Sequence, residues 1–100
     1  MPVVIENIPA ENQVMVTIEG KFDFSCHAAF RRSFTEAPKG ASFVVDLGRV
    51  TYMDSAALGM LLLLRDKAAS APMRVELRNS RGQPREVLNI ADFGRIFRLT

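Results

Sequence analysis

The sequence predicts an α/β fold, a small mixed and largely parallel β-sheet with helices packed mainly on one face. Three observations predict it. The 100 residues, 48% hydrophobic and 24% charged, suffice for a single domain over residues 1–100 with a buried core. Segments with strand periodicity and segments with helical periodicity alternate along the chain. Strands separated by helices imply right-handed parallel crossovers, whereas the first two strands can pair as a hairpin.

The first two segments are predicted strands. The apolar run VVIEN (3–7) is ended by Pro9, as expected for an edge strand. QVMVTIEG (13–20) alternates apolar and polar residues, which is typical of a half-exposed strand, and we expect Gly20 to close it.

A helix and a central strand follow. Ser25 is a suitable N-cap for a helix over 26–37, in which aromatic residues recur at helical spacing, and Pro38 ends it. SFVVDLG (42–48) is β-branched and aromatic without clean alternation, which indicates a strand in the middle of the sheet. We expect 49–54 to connect this strand to the next helix.

The second half repeats the alternation. A helix is predicted from Ser55 to about Ala69, and MRVELRN (73–79) is a predicted strand. Pro84 suits the first turn of a helix over 84–91, and the tail 96–99 is expected to be short and either extended or helical.

Composition excludes several classes of protein. The longest apolar run is about half of the roughly 20 residues that a membrane span needs, and the N-terminus has no signal-peptide pattern. The single cysteine, Cys26, cannot form an internal disulfide, which fits a cytoplasmic location. The net charge of +2 is spread out, and Arg74 and Arg78 alternate with apolar residues as on the wet face of a strand. We therefore expect no direct nucleic-acid binding and no membrane insertion.

An enzyme is not predicted. Cys26 and His27 are adjacent, and adjacent residues of a helix point in different directions, so they do not form a catalytic dyad. The sequence has no glycine-rich phosphate loop, no metal-ligand spacing and no obvious carboxylate pair. We expect no catalytic residues, no cofactor and no metal.

The helix in VTYMDSAALGMLLLLRDKA is apolar on more than one side. On a helical wheel Ala57, Leu61, Leu64 and Ala68 form the core face, flanked by Leu58 and Met60. The opposite face carries a hydroxyl, a glycine, two leucines and a carboxylate: Ser55, Gly59, Leu62, Leu63 and Asp66. A neighbouring helix could cover the leucines; alternatively, they form a docking stripe for another protein, or for a second copy of this chain.

Asp54 and Ser55 stand directly before this helix. Either side chain could be its N-cap, and only one of them can be. The other is left exposed at the helix start, where a phosphate on Ser55 would be favoured by the helix dipole and would place about −1.5 to −2 charges in front of the leucines.

Taken together, these residues resemble the STAS domain family. VVDLGRVTYMDSAALGMLLLL is similar to its signature, a strand ending in an aspartate, a short loop, Asp-Ser and a Leu-Gly helix. GKFDFS (20–25) resembles a second element of the family, and the element order extends the resemblance over essentially the whole chain.

The resemblance implies an anti-sigma factor antagonist. Stand-alone bacterial members bind an anti-sigma factor and so free a sigma factor; the anti-sigma factor, often a serine kinase, phosphorylates the serine and dissolves the complex, and a phosphatase restores it. Ser55 stands at the phosphoacceptor position and Asp23 at that of the loop aspartate. The implied partner-binding residues are Asp23, Asp54, Ser55, Gly59, Leu62, Leu63 and Asp66.

The sequence departs from the commonest family pattern after the acceptor. Ala56-Ala57 replaces Ser-Gly, so no second hydroxyl competes with Ser55, and Ala57 favours the helix over glycine by roughly 1 kcal/mol. Within the same family, the alternative is an accessory subunit of a membrane transport complex that docks constitutively.

Overall fold

The sheet has the predicted mixed, largely parallel arrangement. A computed structural model describes residues 2–38, 40–68 and 75–100. The first strand pairs antiparallel with the second, and the remaining neighbours pair in parallel. Along the sheet the strands follow chain order: β1 Val3–Ile8, β2 Gln13–Phe22, β3 Ser42–Met53, β4 Val75–Arg78 and β5 Arg98–Leu99.

Three α-helices connect the successive parallel strands: α1 His27–Thr35, α2 Ser55–Lys67 and α3 Gly82–Ile90. The parallel strands follow chain order across the sheet, and right-handed crossovers in such a sheet place all their helices on the same face. The predicted packing of the helices on one face therefore agrees with this topology. The sheet and helices enclose a core cluster that includes Ile18, Phe30, Leu47, Leu61 and Leu88, all fully buried.

The prediction that β3 lies in the middle of the sheet is confirmed, but its predicted end is wrong. Phe43, Val44 and Val45 are all buried, at 4% exposure or less. The strand continues to Met53, so 49–53 is strand and not connection. The reason is that β2 does not close at Gly20, where φ is +78°, as the sequence predicted, but continues to Phe22 and gives the end of β3 a partner. At the two register shifts the extra residues lie in β3, between Asp46 and Arg49 and between Val50 and Tyr52.

The start of the first helix also differs from the prediction. Ser25 is not its cap: a short 3-10 turn over Phe24–Cys26 precedes α1, and Asp23 caps that turn. The helix α3 begins at Gly82, two residues earlier than predicted. The tail forms a 3-10 turn at Phe93–Arg95 and then the strand β5. The predicted end of α2 near Ala69 and the start of the predicted strand at 73 lie outside the described residues.

Candidate partner-binding site

Asp54, and not Ser55, is the N-cap of α2. Its backbone is extended, and its Oδ1 accepts a hydrogen bond from the Ala57 amide at 3.2 Å. Ser55 is therefore the first residue of the helix, and its side chain lies at the exposed surface. The sequence left open which of the two residues is the cap. In the structure the Asp54 carboxylate caps the helix, and the Ser55 hydroxyl stays accessible.

Asp23 has an equivalent role one strand away. It accepts hydrogen bonds from the Ser25 amide at 3.0 Å and from the Ser25 hydroxyl at 2.5 Å. These two bonds, the side-chain one foremost, hold the pKa of the Asp23 carboxyl below its ordinary value of 3.8. The loop thus presents a carboxylate that stays ionised at neutral pH.

The strand register brings the two capping aspartates together. Phe22 at the end of β2 pairs with Met53 at the end of β3, and each is followed directly by its aspartate. Since neighbouring strands are about 4.8 Å apart, Asp23 and Asp54 emerge side by side at the carboxyl edge of the sheet. Ser55 directly follows Asp54 at this edge.

Gln83 supports this edge from the other side. Its Nε2 donates to the Met53 carbonyl at 2.8 Å, and its Oε1 accepts from the Met53 amide at 2.8 Å. The side-chain amide takes the place of a strand neighbour beyond the end of β4, because β3 pairs with β4 only from Phe43 to Asp46. Gln83 thereby fixes the residue before Asp54, a role that no pattern in the sequence indicated.

The outer face of α2 carries the predicted docking residues. Ala57, Met60, Leu61 and Leu64 are buried, as predicted for the core side. On the other side Gly59 and Asp66 are exposed, and Leu62 and Leu63 retain 38% and 49% exposure. A Cβ built on Gly59 meets nothing within 4 Å, so the packing of this chain does not itself require a glycine there.

The two leucines do not face the same surroundings. Leu63 and Asp66 line a groove of about 570 Å³ between α1 and α2, together with His27, Arg31 and Phe34 of α1. Leu62 lies outside this groove. In the described part of the chain no helix covers the leucines completely, although α1 forms the second wall beside Leu63.

Phe24 extends the apolar surface and was not among the predicted residues. It is 71% exposed and stacks on the His27 ring, with 5.0 Å between ring centroids and 18° between planes. The available signal was GKFDFS itself, in which a second phenylalanine directly follows Asp23 in a loop. Asp23, Phe24, Asp54, Ser55 and the outer face of α2 form what we term the acceptor surface.

The other potentially reactive side chains, Cys26 and His27, make contacts within the chain. Cys26 is buried, and its Sγ donates to the Lys21 carbonyl at 3.5 Å, whereas His27 stacks on Phe24. No group of three or more His, Cys, Asp or Glu side chains within 2–38, 40–68 and 75–100 is arranged to hold a metal ion.

The arginines near the end of β4 form an ion pair or hydrogen bonds with other residues of this chain. Arg78 pairs with Glu76 at 3.0 Å, Arg81 donates to the Gly48 carbonyl at 3.0 Å, and Arg85 donates to the Ser80 hydroxyl at 3.2 Å. Arg74, the fourth member of this basic group, lies outside the described residues. None of the helices that the structure describes is both long and apolar enough to cross a membrane.

The chain belongs to the STAS domain family. The family model described as "Mlab, STAS domain" matches residues 9–99. The chain is 39% identical over 89 residues to a STAS-domain-containing protein of Pseudomonas aeruginosa, and the match covers 88% of each protein. The family expected from the Asp-Ser and Leu-Gly residues is therefore confirmed.

Solved structures confirm the fold. The anti-sigma factor antagonist SpoIIAA in its unphosphorylated form superposes with a TM-score of 0.74 at 16% identity, over 98% of this chain and 86% of that one. Bacillus SpoIIAA in its phosphorylated form gives 0.67 at 18% identity, over 98% and 90%. TM1081 of Thermotoga maritima gives 0.80 at 15% identity, over 97% and 84%.

Proposed function

We propose that this chain is an anti-sigma factor antagonist of the bacterial cytoplasm. In its unphosphorylated form it binds an anti-sigma factor that is also a serine kinase, and a sigma factor is released. Phosphorylation of Ser55 ends the binding, and a serine phosphatase restores it. The chain itself is a binding protein, without catalysis, cofactor or direct contact with nucleic acid.

The observation that carries the proposal is the accessibility of Ser55. Asp54 takes the cap of α2 through its 3.2 Å bond to Ala57, so the Ser55 hydroxyl is not needed to hold the helix. A kinase can therefore reach it without unfolding the chain. The two neighbouring aspartates and the exposed leucines give the partner both charged and apolar contacts.

The same geometry explains how a phosphate would switch binding. It would add about −1.5 to −2 charges near the Asp23 and Asp54 carboxylates, and hydrogen bonds from Ser25 hold the pKa of Asp23 below its ordinary value. The positive end of the α2 dipole would compensate part of this charge within the chain. A docked partner, in contrast, would have to desolvate a dianion at the edge of an apolar surface, which weakens the complex.

The test is titration calorimetry of Ser55 variants with the kinase-like anti-sigma factor encoded nearest to the gene of this chain. Ser55→Asp should weaken binding at least tenfold, and Ser55→Ala should bind normally and resist switching by the kinase and ATP. Asn12→Asp is the matched control: it adds one negative charge at the opposite end of β2, roughly 30 Å away. Equal affinity of Ser55→Asp and Asn12→Asp would contradict the proposal.

The alternative is a STAS subunit that docks constitutively in a membrane transport complex. That role would use the same acceptor surface with Ser55 unmodified. Binding to a transporter component that Ser55→Asp leaves unchanged, without affinity for an anti-sigma factor, would favour it.

A further inference from the structure

The outer edge of β1 is open and apolar. Among the residues that the structure describes, no strand lies beyond β1. Val4 is 53% exposed and Ile5 is 37% exposed, and Glu6 is the only charged residue of the strand. An unpaired edge of this kind is a template for pairing with another strand.

The hydrogen-bond register fixes which backbone groups point outward. The Glu19 amide donates to the Pro2 carbonyl at 2.8 Å, and Val4 pairs with Thr17 in the same register. In an antiparallel ladder the hydrogen-bonded pairs alternate, so even-numbered residues of β1 bond to β2. The backbone groups of Val3, Ile5 and Asn7 therefore point away from the sheet.

We propose that this edge pairs with the same edge of a second copy, in an antiparallel dimer whose two-fold axis passes between the Val4 residues. In this register Val3 lies opposite Ile5 of the second copy, and each of the two such pairs exchanges two backbone hydrogen bonds. Val4 faces Val4 on one side of the joined sheet, and Val3 and Ile5 meet on the helix side. Each exposed apolar side chain in this pairing, Val4 and Ile5, gains an apolar neighbour from the second copy.

The sequence of β1 favours this register and this partner. Glu6 then lies opposite Pro2, so no acid faces an acid. Centring the pair on Ile5 instead would set Val4 against the Glu6 carboxylate, which costs free energy without a compensating contact. A shift by one residue would place odd-numbered residues opposite even-numbered residues, whose backbone groups point toward β2, so the hydrogen bonds between the copies could not form. The strand is thus complementary to itself.

The position of α1 adds a second contact. This helix packs over β1 and β2, so pairing at the β1 edge would bring the two copies of α1 to about 10 Å, the usual distance of packed helices. The side of α1 turned away from α2 carries Arg32 and Glu36, 3.7 Å apart. Since the two helices would run antiparallel, the basic end of this pair would face the acidic end of its copy.

The acceptor surface stays free in such a dimer, because α2 lies over the other part of the sheet. The dimer would therefore present two copies of that surface, and it does not depend on the proposed function. Two strands and one turn of helix bury less than the roughly 1,200 Å² of a stable complex, so we expect weak, reversible association.

Cysteine cross-linking tests the register. Val4 and its copy form a pair without hydrogen bonds, whose Cα atoms would be about 4.5 Å apart, within the range for a disulfide. Val4→Cys should give a covalent dimer under mild oxidation. Glu6→Cys is the matched control on the same face, about 14 Å from its copy, and should remain monomeric, as should the natural chain, whose Cys26 is buried. Equal cross-linking of the two variants would indicate random collision and overturn the proposal.

Sedimentation equilibrium of the natural chain up to about 1 mM tests the association itself, at the concentrations that weak interfaces require. The chain should dimerise, and Val4→Lys should raise the dimer dissociation constant at least tenfold while leaving the folded spectrum unchanged. A chain that is monomeric throughout would overturn the proposal. So would a dimer that persists in Val4→Lys and dissociates in Leu62→Lys, because it would be formed through α2.

Discussion

At the scale of single residues, Asp23 and Asp54 perform the same local task at neighbouring strand ends. Each follows the last residue of a parallel strand and accepts an amide hydrogen bond from the turn that begins there. The two sites differ in one bond. Asp23 also accepts a hydrogen bond from the Ser25 hydroxyl, whereas Asp54 accepts from the Ala57 amide and not from the Ser55 hydroxyl. Within the described residues, the Ser25 hydroxyl therefore helps to hold its turn, whereas the Ser55 hydroxyl does not.

Replacing Asp54 should destabilise the fold more than replacing Ser55. Asp54→Ala removes the cap of α2 and should lower the free energy of unfolding by about 1 kcal/mol, within the usual range of about 0.5–2. Ser55→Ala should change it by less than about 0.5 kcal/mol, as expected for an exposed residue without a structural bond. Urea unfolding of both variants measures this, and a larger loss for Ser55→Ala would show that Ser55 is the cap.

Glu76 should make stability depend on pH in the acid range. A hydrogen bond from the Thr100 hydroxyl at 2.6 Å, and then the Arg78 guanidinium, hold the pKa of Glu76 below its ordinary value of 4.5, against a smaller opposing effect of burial. A carboxyl with a lowered folded pKa stabilises the fold above pH 4.5, and this contribution is lost as the pH falls through the folded pKa.

Glu76→Gln should therefore be less stable than the natural chain at pH 7, and the difference should shrink below pH 4.5. Thermal unfolding at a series of pH values measures it. Asn89→Gln, an exposed change on α3 that leaves the charge unaltered, provides the baseline. A difference that is constant from pH 7 to pH 3 would mean that the Thr100 contact does not act through the carboxylate.

Phe24 should matter for partner binding and not for folding. It is 71% exposed, and exposed aromatic residues at the centre of an interface commonly contribute about 2 kcal/mol or more to binding. Phe24→Ala should weaken binding of the anti-sigma factor at least tenfold with little change in unfolding. Ile90→Ala is the matched control, since Ile90 is 79% exposed on α3. Similar losses for both would place the interface elsewhere.

At the scale of the element, α2 has two faces in different surroundings. Its predicted core side is buried, and its outer side holds the exposed glycine, leucines and aspartate. The sequence predicted this division because a helix with a carboxylate and a glycine opposite its core stripe cannot be buried all round. It did not distinguish Leu62 from Leu63, because the α1 wall of the groove depends on tertiary packing.

Adjacent leucines of α2 should therefore respond differently to truncation. Leu61 is fully buried, and Leu61→Ala should cost about 2–5 kcal/mol of stability. Leu62→Ala should cost less than about 1 kcal/mol, because its side chain is 38% exposed, and should weaken partner binding instead. Unfolding and binding measured on both variants separate the two effects, and a Leu62→Ala chain that binds normally would remove Leu62 from the acceptor surface.

At the scale of the whole molecule, alternation of strand and helix periods was enough to predict the sheet, its mixed direction and the layering of the helices. The predicted outer residues of α2 are exposed and both aspartates follow neighbouring strand ends, while their part in partner binding stays a prediction. What periodicity did not predict arises from long-range pairing: β3 continues to Met53 because β2 extends to Phe22 beside it. Local patterns carry no information about a partner so distant in sequence.

The same limit applies to Gln83 and Phe24. The side chain of Gln83 acts as a strand neighbour to Met53 across 30 residues, an arrangement that no local spacing encodes. No sequence pattern led to a prediction for Phe24, which lies exposed in the 3-10 turn that Asp23 caps. Side chains whose role depends on the packing of several elements are the ones that sequence patterns leave out.

Phosphate occupancy of Ser55 in the native cell is the quantity on which the proposed function depends. It is measured by intact mass and peptide mapping of the protein recovered from two growth conditions with phosphatases blocked. We expect a single phosphate on Ser55 whose occupancy changes with the condition, and none on Ser25. An unmodified Ser55 in every condition would contradict the switch and favour a STAS domain that docks constitutively.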